Sequence, residues 1–218
     1  MNLSSTALPA AKPHLRGVLH QWAAAGALGA GLVLVSMAHS ARVAAAAAVF
    51  AVSLVVLFAV SATYHRVRWS AAARERMRRM DHASIFLLIA GTYTPIALLA
   101  LPPEAGRSLL LAAWGAALLG ICQSLFWIRA PKVVVALLAV AVGWTILPYL
   151  GAARLALTTG ELALIGAGGI AYTLGAAAYA LKRPNPFPRV FGYHEVFHAL
   201  TIVGAVLHFA VVARFVRG

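Results

Sequence analysis

His194 and His198 stand four residues apart at the start of an apolar run that continues to about Val212. On a helix this spacing puts both imidazoles on one face, one turn apart, where they can close on a single metal ion. Two polar rings on a hydrophobic helix need a reason to be there, because burial without a partner costs roughly 1–3 kcal/mol for each. Zinc suits the pair: it takes neutral imidazole nitrogens in a tetrahedral site, and three protein ligands leave a fourth place for water. His65 is the candidate third ligand. Asp81, the only aspartate of the chain, would hold that water or orient a ligand. Ser61, one turn before His65 on the same face, would hydrogen-bond the water or a substrate carbonyl. Zinc lowers the pKa of water it holds toward 7, so the set suits hydrolysis of an amide or ester in a lipid headgroup region. Each residue also has a plainer reading, His65 as an interfacial residue and Asp81 as a helix N-cap.

The elements that must position these groups follow from composition. The chain has 218 residues, 62% hydrophobic and only 11% charged, with a mean hydropathy of +0.87. A soluble domain is about 45–50% apolar and about 25% charged, so this is a polytopic membrane protein. Residues 1–13 read as a disordered tail, and 14–218 as one domain. Seven apolar stretches are long enough to span a bilayer: about 17–38, 42–64, from Asp81 to before Pro102, 107–128, 132–150, 161–181 and 191–214. The first is too long for a cleaved signal segment and reads as a retained span. Gly166, Gly168, Gly169 and Gly175 in the sixth favour close helix packing. Pro95 is expected to kink the third, with Tyr93 and Thr94 lining a cavity.

Orientation follows from the basic residues, which concentrate on cytoplasmic loops. Thirteen of the eighteen lysines and arginines fall on one side of a seven-span topology and five on the other, so the N-terminus is expected in the cytoplasm and the C-terminus outside. His65, Asp81, His194 and His198 then come to one depth near the inner surface, from three helices. The net charge of +13 belongs with anionic lipid headgroups. Nothing interleaves aromatic and basic residues for base stacking, which argues against nucleic acid. The Ala- and Arg-rich composition points to a bacterial plasma membrane. Cys122 is alone, so no intramolecular disulfide forms, and its place in an apolar run suggests core filler. His14, His20 and His39 read as interfacial, and His208 as a hydrogen-bonded interior residue.

His194-Glu195-x-x-His198 also matches the zincin pattern, whose glutamate is the general base. A zincin needs a third ligand downstream, and only His208 and no carboxylate follow. Glu195 lies about 100° around the helix from His194 and is placed to face the basic loop instead.

Four ordered motifs carry a resemblance: Ser61-Ala62-Thr63-Tyr64-His65, Met80-Asp81-His82-Ala83-Ser84-Ile85-Phe86, Gly91-Thr92-Tyr93-Thr94-Pro95, and Gly192-Tyr193-His194-Glu195-Val196-Phe197-His198 with Leu207-His208-Phe209. They resemble the haemolysin III family, which belongs to the superfamily of adiponectin and progestin receptors and, more distantly, alkaline ceramidases. The resemblance implies an all-α seven-transmembrane bundle with a cytoplasmic N-terminus and zinc near the cytoplasmic face. His65, His194 and His198 would be its ligands, with Asp81 reaching the metal through water and Ser61 beside it. The receptors typically carry Gln where Glu195 stands, and they have a long N-terminal domain, so hormone-receptor function is not expected to carry over. Two function classes follow besides a zinc-dependent lipid hydrolase. One is a non-enzymatic membrane-homeostasis or sensor protein with structural zinc. The other is a pore-forming haemolysin, for which the Ala/Leu/Val spans offer few polar faces. Membrane lipids are the expected partners, and the sequence leaves the oligomeric state open.

Overall fold

The computed structural model describes residues 13–218, so the expected disordered tail lies outside it except for Pro13. The architecture is all-α. In chain order it comprises α1 (Val18–Ser36), α2 (Ala41–Arg66), α3 (Ala71–Pro95), α4 (Pro103–Phe126), α5 (Lys132–Gly143), α6 (Leu150–Ala156), α7 (Thr159–Leu181) and α8 (Tyr193–Arg217). Counting α5 and α6 as one interrupted span, seven stretches are long and apolar enough to cross a bilayer. This is the expected seven-helix transmembrane bundle.

Local chemistry sets the helix starts. The Ser40 and Ser70 hydroxyls accept from Val43 N and Ala73 N, each satisfying an orphan donor of the first turn. Thr158 and Glu161 form a reciprocal capping box at α7. The third helix begins at Ala71, ten residues before the expected start at Asp81. Hydropathy marks the run Arg74 to Arg79 as a loop, but Ala, Arg, Glu and Met are strong helix formers and Ser70 caps them. Asp81 is therefore not an N-cap. It lies about 15 Å into the helix. Beyond Pro95 the helix widens into a π turn, Ile96–Ala100, which accommodates the proline. The fifth span breaks after Gly143 and resumes through a 3-10 turn, Leu147–Tyr149, that contains Pro148.

The helices pack in a closed ring: α1 on α2, α2 on α3, α3 on α4, then α5, α7 and α8, with α8 returning to α1. Helix α8 also touches α2 and α3, so the histidine pair enters the middle of the bundle. The largest apolar cluster joins Leu34, Phe50, Leu54, Phe58 and Leu88 to Val212 and Val216 of α8. Trp22, Leu111 and Leu119 are about 70% exposed and face lipid. Cys122 is exposed too, which corrects its reading as core filler: its side of α4 meets the bilayer rather than another helix.

Small residues set the helix spacing. A Cβ on Gly168 would meet the His208 ring, on Gly169 the Trp144 indole, and on Gly175 Leu200 and Phe197, whereas Gly166 faces open space. The tightest approach to backbone is at Gly106, where a Cβ would stand 2.2 Å from the Ala97 carbonyl oxygen of the π turn. Backbone cannot swing aside as a side chain can, so Gly106→Ala is expected to cost about 1–3 kcal/mol. The check is a lowered unfolding temperature in detergent, with Gly166→Ala as the neutral comparison.

Candidate metal centre

His65 sits in the last turn of α2, one residue from its end, and His194 and His198 lie in the first two turns of α8. The ligand nitrogens of these three rings all fall within 4.8 Å of one another. His65 Nε2 and His194 Nε2 are 3.1 Å apart. Two nitrogens about 2.0–2.1 Å from one tetrahedral zinc would stand about 3.3–3.4 Å apart, close to the separation of this pair. His194 and His198 are 9% and 1% exposed. Among the described residues His198 Nδ1 has no hydrogen-bond partner.

Asp81 and Ser61 border the group without joining it. An Asp81 carboxylate oxygen stands 3.9 Å from His65 Nε2, too far for a hydrogen bond and a separation that one bridging water can fill. Ser61, 3% exposed, lies with its hydroxyl against the Asp81 carboxyl. No further His, Cys, Asp or Glu joins the three histidines among the described residues, and residues 1–12 contain none of these types.

Glu195 does not face the site as a base. It is fully buried, ion-paired with Arg16, and accepts from Gly192 N at 2.8 Å to close the capping box of α8. Its expected turn toward a basic loop is corrected: the partner is Arg16, from the segment before α1. That segment is held down along its length. His14 N and Leu15 N donate to the Arg189 and Val190 carbonyls. Gly17 adopts φ 80° with its α-carbon so near His65 that a Cβ would come within 2.7 Å of the His65 Cβ. Only glycine meets both demands without strain.

His20 is the residue that spacing could not find. Expected at the interface, it is 2% exposed, and its ring stacks on His198 at 3.8 Å between centroids and 10° between planes. Neither of its ring nitrogens makes a hydrogen bond among the described residues. A lone histidine early in the first span carries no periodic signal, and its partner is 178 residues away. His208 is interior as expected, Nε2 donating to the Ile165 carbonyl at 3.1 Å.

A cavity of about 670 Å³ opens beside His65 and His194 and runs inward past Leu57, Ile85, Ile89 and Ile96 to Trp144 and His208. Tyr93 lines it, as expected, and donates its hydroxyl to the Gly143 carbonyl. Thr94 does not: it donates to the Ala90 carbonyl and accepts from Trp114 Nε1, so its hydroxyl serves the α3–α4 contact.

The sequence model described as Haemolysin-III related matches residues 9–209. The Hemolysin-3 homolog of Bacillus subtilis (strain 168) is 28% identical over 161 residues, covering 74% of this chain and 72% of that protein. Hemolysin-3 of Bacillus cereus is 30% identical over 168 residues, covering 77% and 74%. With its seven apolar helices and the match over nearly the whole chain, this multi-pass membrane protein belongs to the haemolysin-III-related family.

Proposed function

We propose that this chain is a zinc-dependent hydrolase of membrane lipid amides or esters. It would reside in a bacterial plasma membrane with its N-terminus in the cytoplasm, residues 14–218 acting as one domain. The observation that carries the reading is a group of three imidazoles, with no fourth protein donor among the described residues, at the head of a mostly apolar cavity. His65, His194 and His198 would hold the ion. A structural zinc site closes with four protein ligands, whereas a catalytic one keeps an open position, so the donor count favours chemistry over a purely structural role. Zinc bound there would supply a Lewis acid and a water acidic enough to react near neutral pH.

The protein's own groups do the rest. The Asp81 carboxylate would take the proton of a water in front of the rings, with Ser61 orienting it. As that oxygen bonds to the acyl carbon and the C–N or C–O bond breaks, Asp81 would return the proton to the departing amine or alcohol. The aliphatic cavity wall would take the acyl chain and exclude other water.

The test is turnover. Purified protein is expected to release fatty acid from at least one member of a panel of amide- and ester-linked lipids, and His194→Ala to release none. A zinc-loaded wild type that hydrolyses nothing on the panel, yet loses thermal stability on chelation, would favour the sensor reading with structural zinc.

A further inference from the structure

The mouth of the cavity carries more positive charge than a metal centre needs. Arg16, Arg74, Arg78, Arg129 and Lys132 line it, against two carboxylates, Glu75 and Asp81. Arg16 is committed to Glu195, and Glu75 to Arg79, which is not in the lining. Arg74, Arg78, Arg129 and Lys132 form no ion pair with a carboxylate among the described residues. They arrive from two turns of α3, the α4–α5 connection and the first residue of α5, so the fold brings them to one opening. Lys132 is also fixed in place. Its Nζ donates to the Tyr193 hydroxyl at 3.0 Å and stands 4.6 and 5.1 Å from the Tyr179 and Tyr193 ring centroids. Charge that merely met the bilayer surface would need no such bracket.

We propose that the cavity binds an anionic lipid through a phosphate group, held among Arg74, Arg78, Arg129 and Lys132, with one acyl chain extending inward. Guanidinium forks and an ammonium together match phosphate oxygens. The depth also suits a chain: Trp144, which lines the cavity, lies about 18 Å beyond Lys132 along the same span. The volume falls in the range that encloses a small ligand. This inference rests on reading the cavity as the substrate site and narrows the lipid from any amide or ester to a phosphate-bearing one.

Binding rather than turnover tests it. Full-length protein in uncharged detergent is titrated with lysophosphatidate carrying a dibrominated acyl chain, and with monoacylglycerol carrying the same chain. Bromine quenches tryptophan at contact, and Trp144→Phe shows which quenching comes from inside the cavity. Lysophosphatidate is expected to quench Trp144 saturably and about 10-fold more tightly than monoacylglycerol. The combined variant Arg78→Gln, Arg129→Gln, Lys132→Gln is expected to bring the two within about 2-fold while leaving monoacylglycerol binding unchanged, which also reports that the variant is folded. Equal affinities in the wild type overturn the phosphate assignment and leave the cavity as a lipid site. Quenching by neither lipid, or quenching that survives Trp144→Phe unchanged, overturns both. Inorganic phosphate at millimolar concentration is expected to compete weakly. If it displaces the lipid at a concentration at or below the protein's Kd for lysophosphatidate, the site is one for free phosphate and the lipid assignment fails.

Discussion

His198→Ala is expected to strip the purified protein of metal, with zinc affinity falling more than about 100-fold. Changing a group that only supports a ligand already costs 10–100-fold, and removal of a ligand must exceed that. His65→Ala and His194→Ala should match it, because the three rings form one group spanning two helices. His208→Ala should retain full zinc, its ring being spent on the Ile165 carbonyl. His20→Leu sits between these extremes. It removes the flat ring stacked on His198 but no donor of the group, and an aromatic pair is worth about 0.5–1.5 kcal/mol, so affinity should fall roughly 2- to 10-fold. His20→Phe, which keeps a flat ring, should recover most of the loss. Metal content after dialysis, with chelator competition for the affinities, reads all six variants. Stoichiometric zinc in His198→Ala would remove the basis of the proposed site.

Glu195→Leu should be the most destabilising single change near the site that leaves every metal donor in place. The substitution strands the Arg16 guanidinium beside a fully buried position and opens the capping box at Gly192. Removing one partner of a buried ion pair costs about 3–5 kcal/mol, and loss of the cap adds about 1 kcal/mol. For a chain of this length that lowers the unfolding temperature by roughly 10 °C or more. Adding Arg16→Met should restore part of the loss, since an apolar pair often replaces a buried ion pair at little cost. Glu195→Gln keeps an acceptor for Gly192 N and should fall in between. A zincin-type general base behaves otherwise: its replacement by Gln would leave the fold intact and abolish turnover. A Glu195→Gln protein with unchanged stability and no activity would return Glu195 to the chemistry.

Much of this protein is legible along the chain because a bilayer imposes a simple length rule. Apolar runs of about 20 residues must cross it as helices, and strict alternation of sides carries His65, Asp81 and the α8 histidines to one end. Local rules went wrong where two of them compete. The arginines of α3 read as a loop by hydropathy and as a helix by propensity, and the Ser70 cap decides for the helix. Cys122 reads as core by its neighbours, yet which side of a uniformly apolar helix meets protein is not a property of that helix. In α4 nearly every face is apolar, so no periodic stripe marks the buried one.

The amino-acid order by itself determined the seven spans, the all-α class and the types and approximate depth of the candidate ligands, because each follows from local hydrophobicity, spacing and the alternation of sides. Only the tertiary structure decided that His20 stacks on His198, that Arg16 takes Glu195 out of the chemistry, and that four cations gather at one cavity mouth. Those contacts join segments far apart in the chain, and they depend on how α8 is rotated and how closely α1, α3 and α5 approach it. Side-chain packing in the closed bundle sets that rotation and approach.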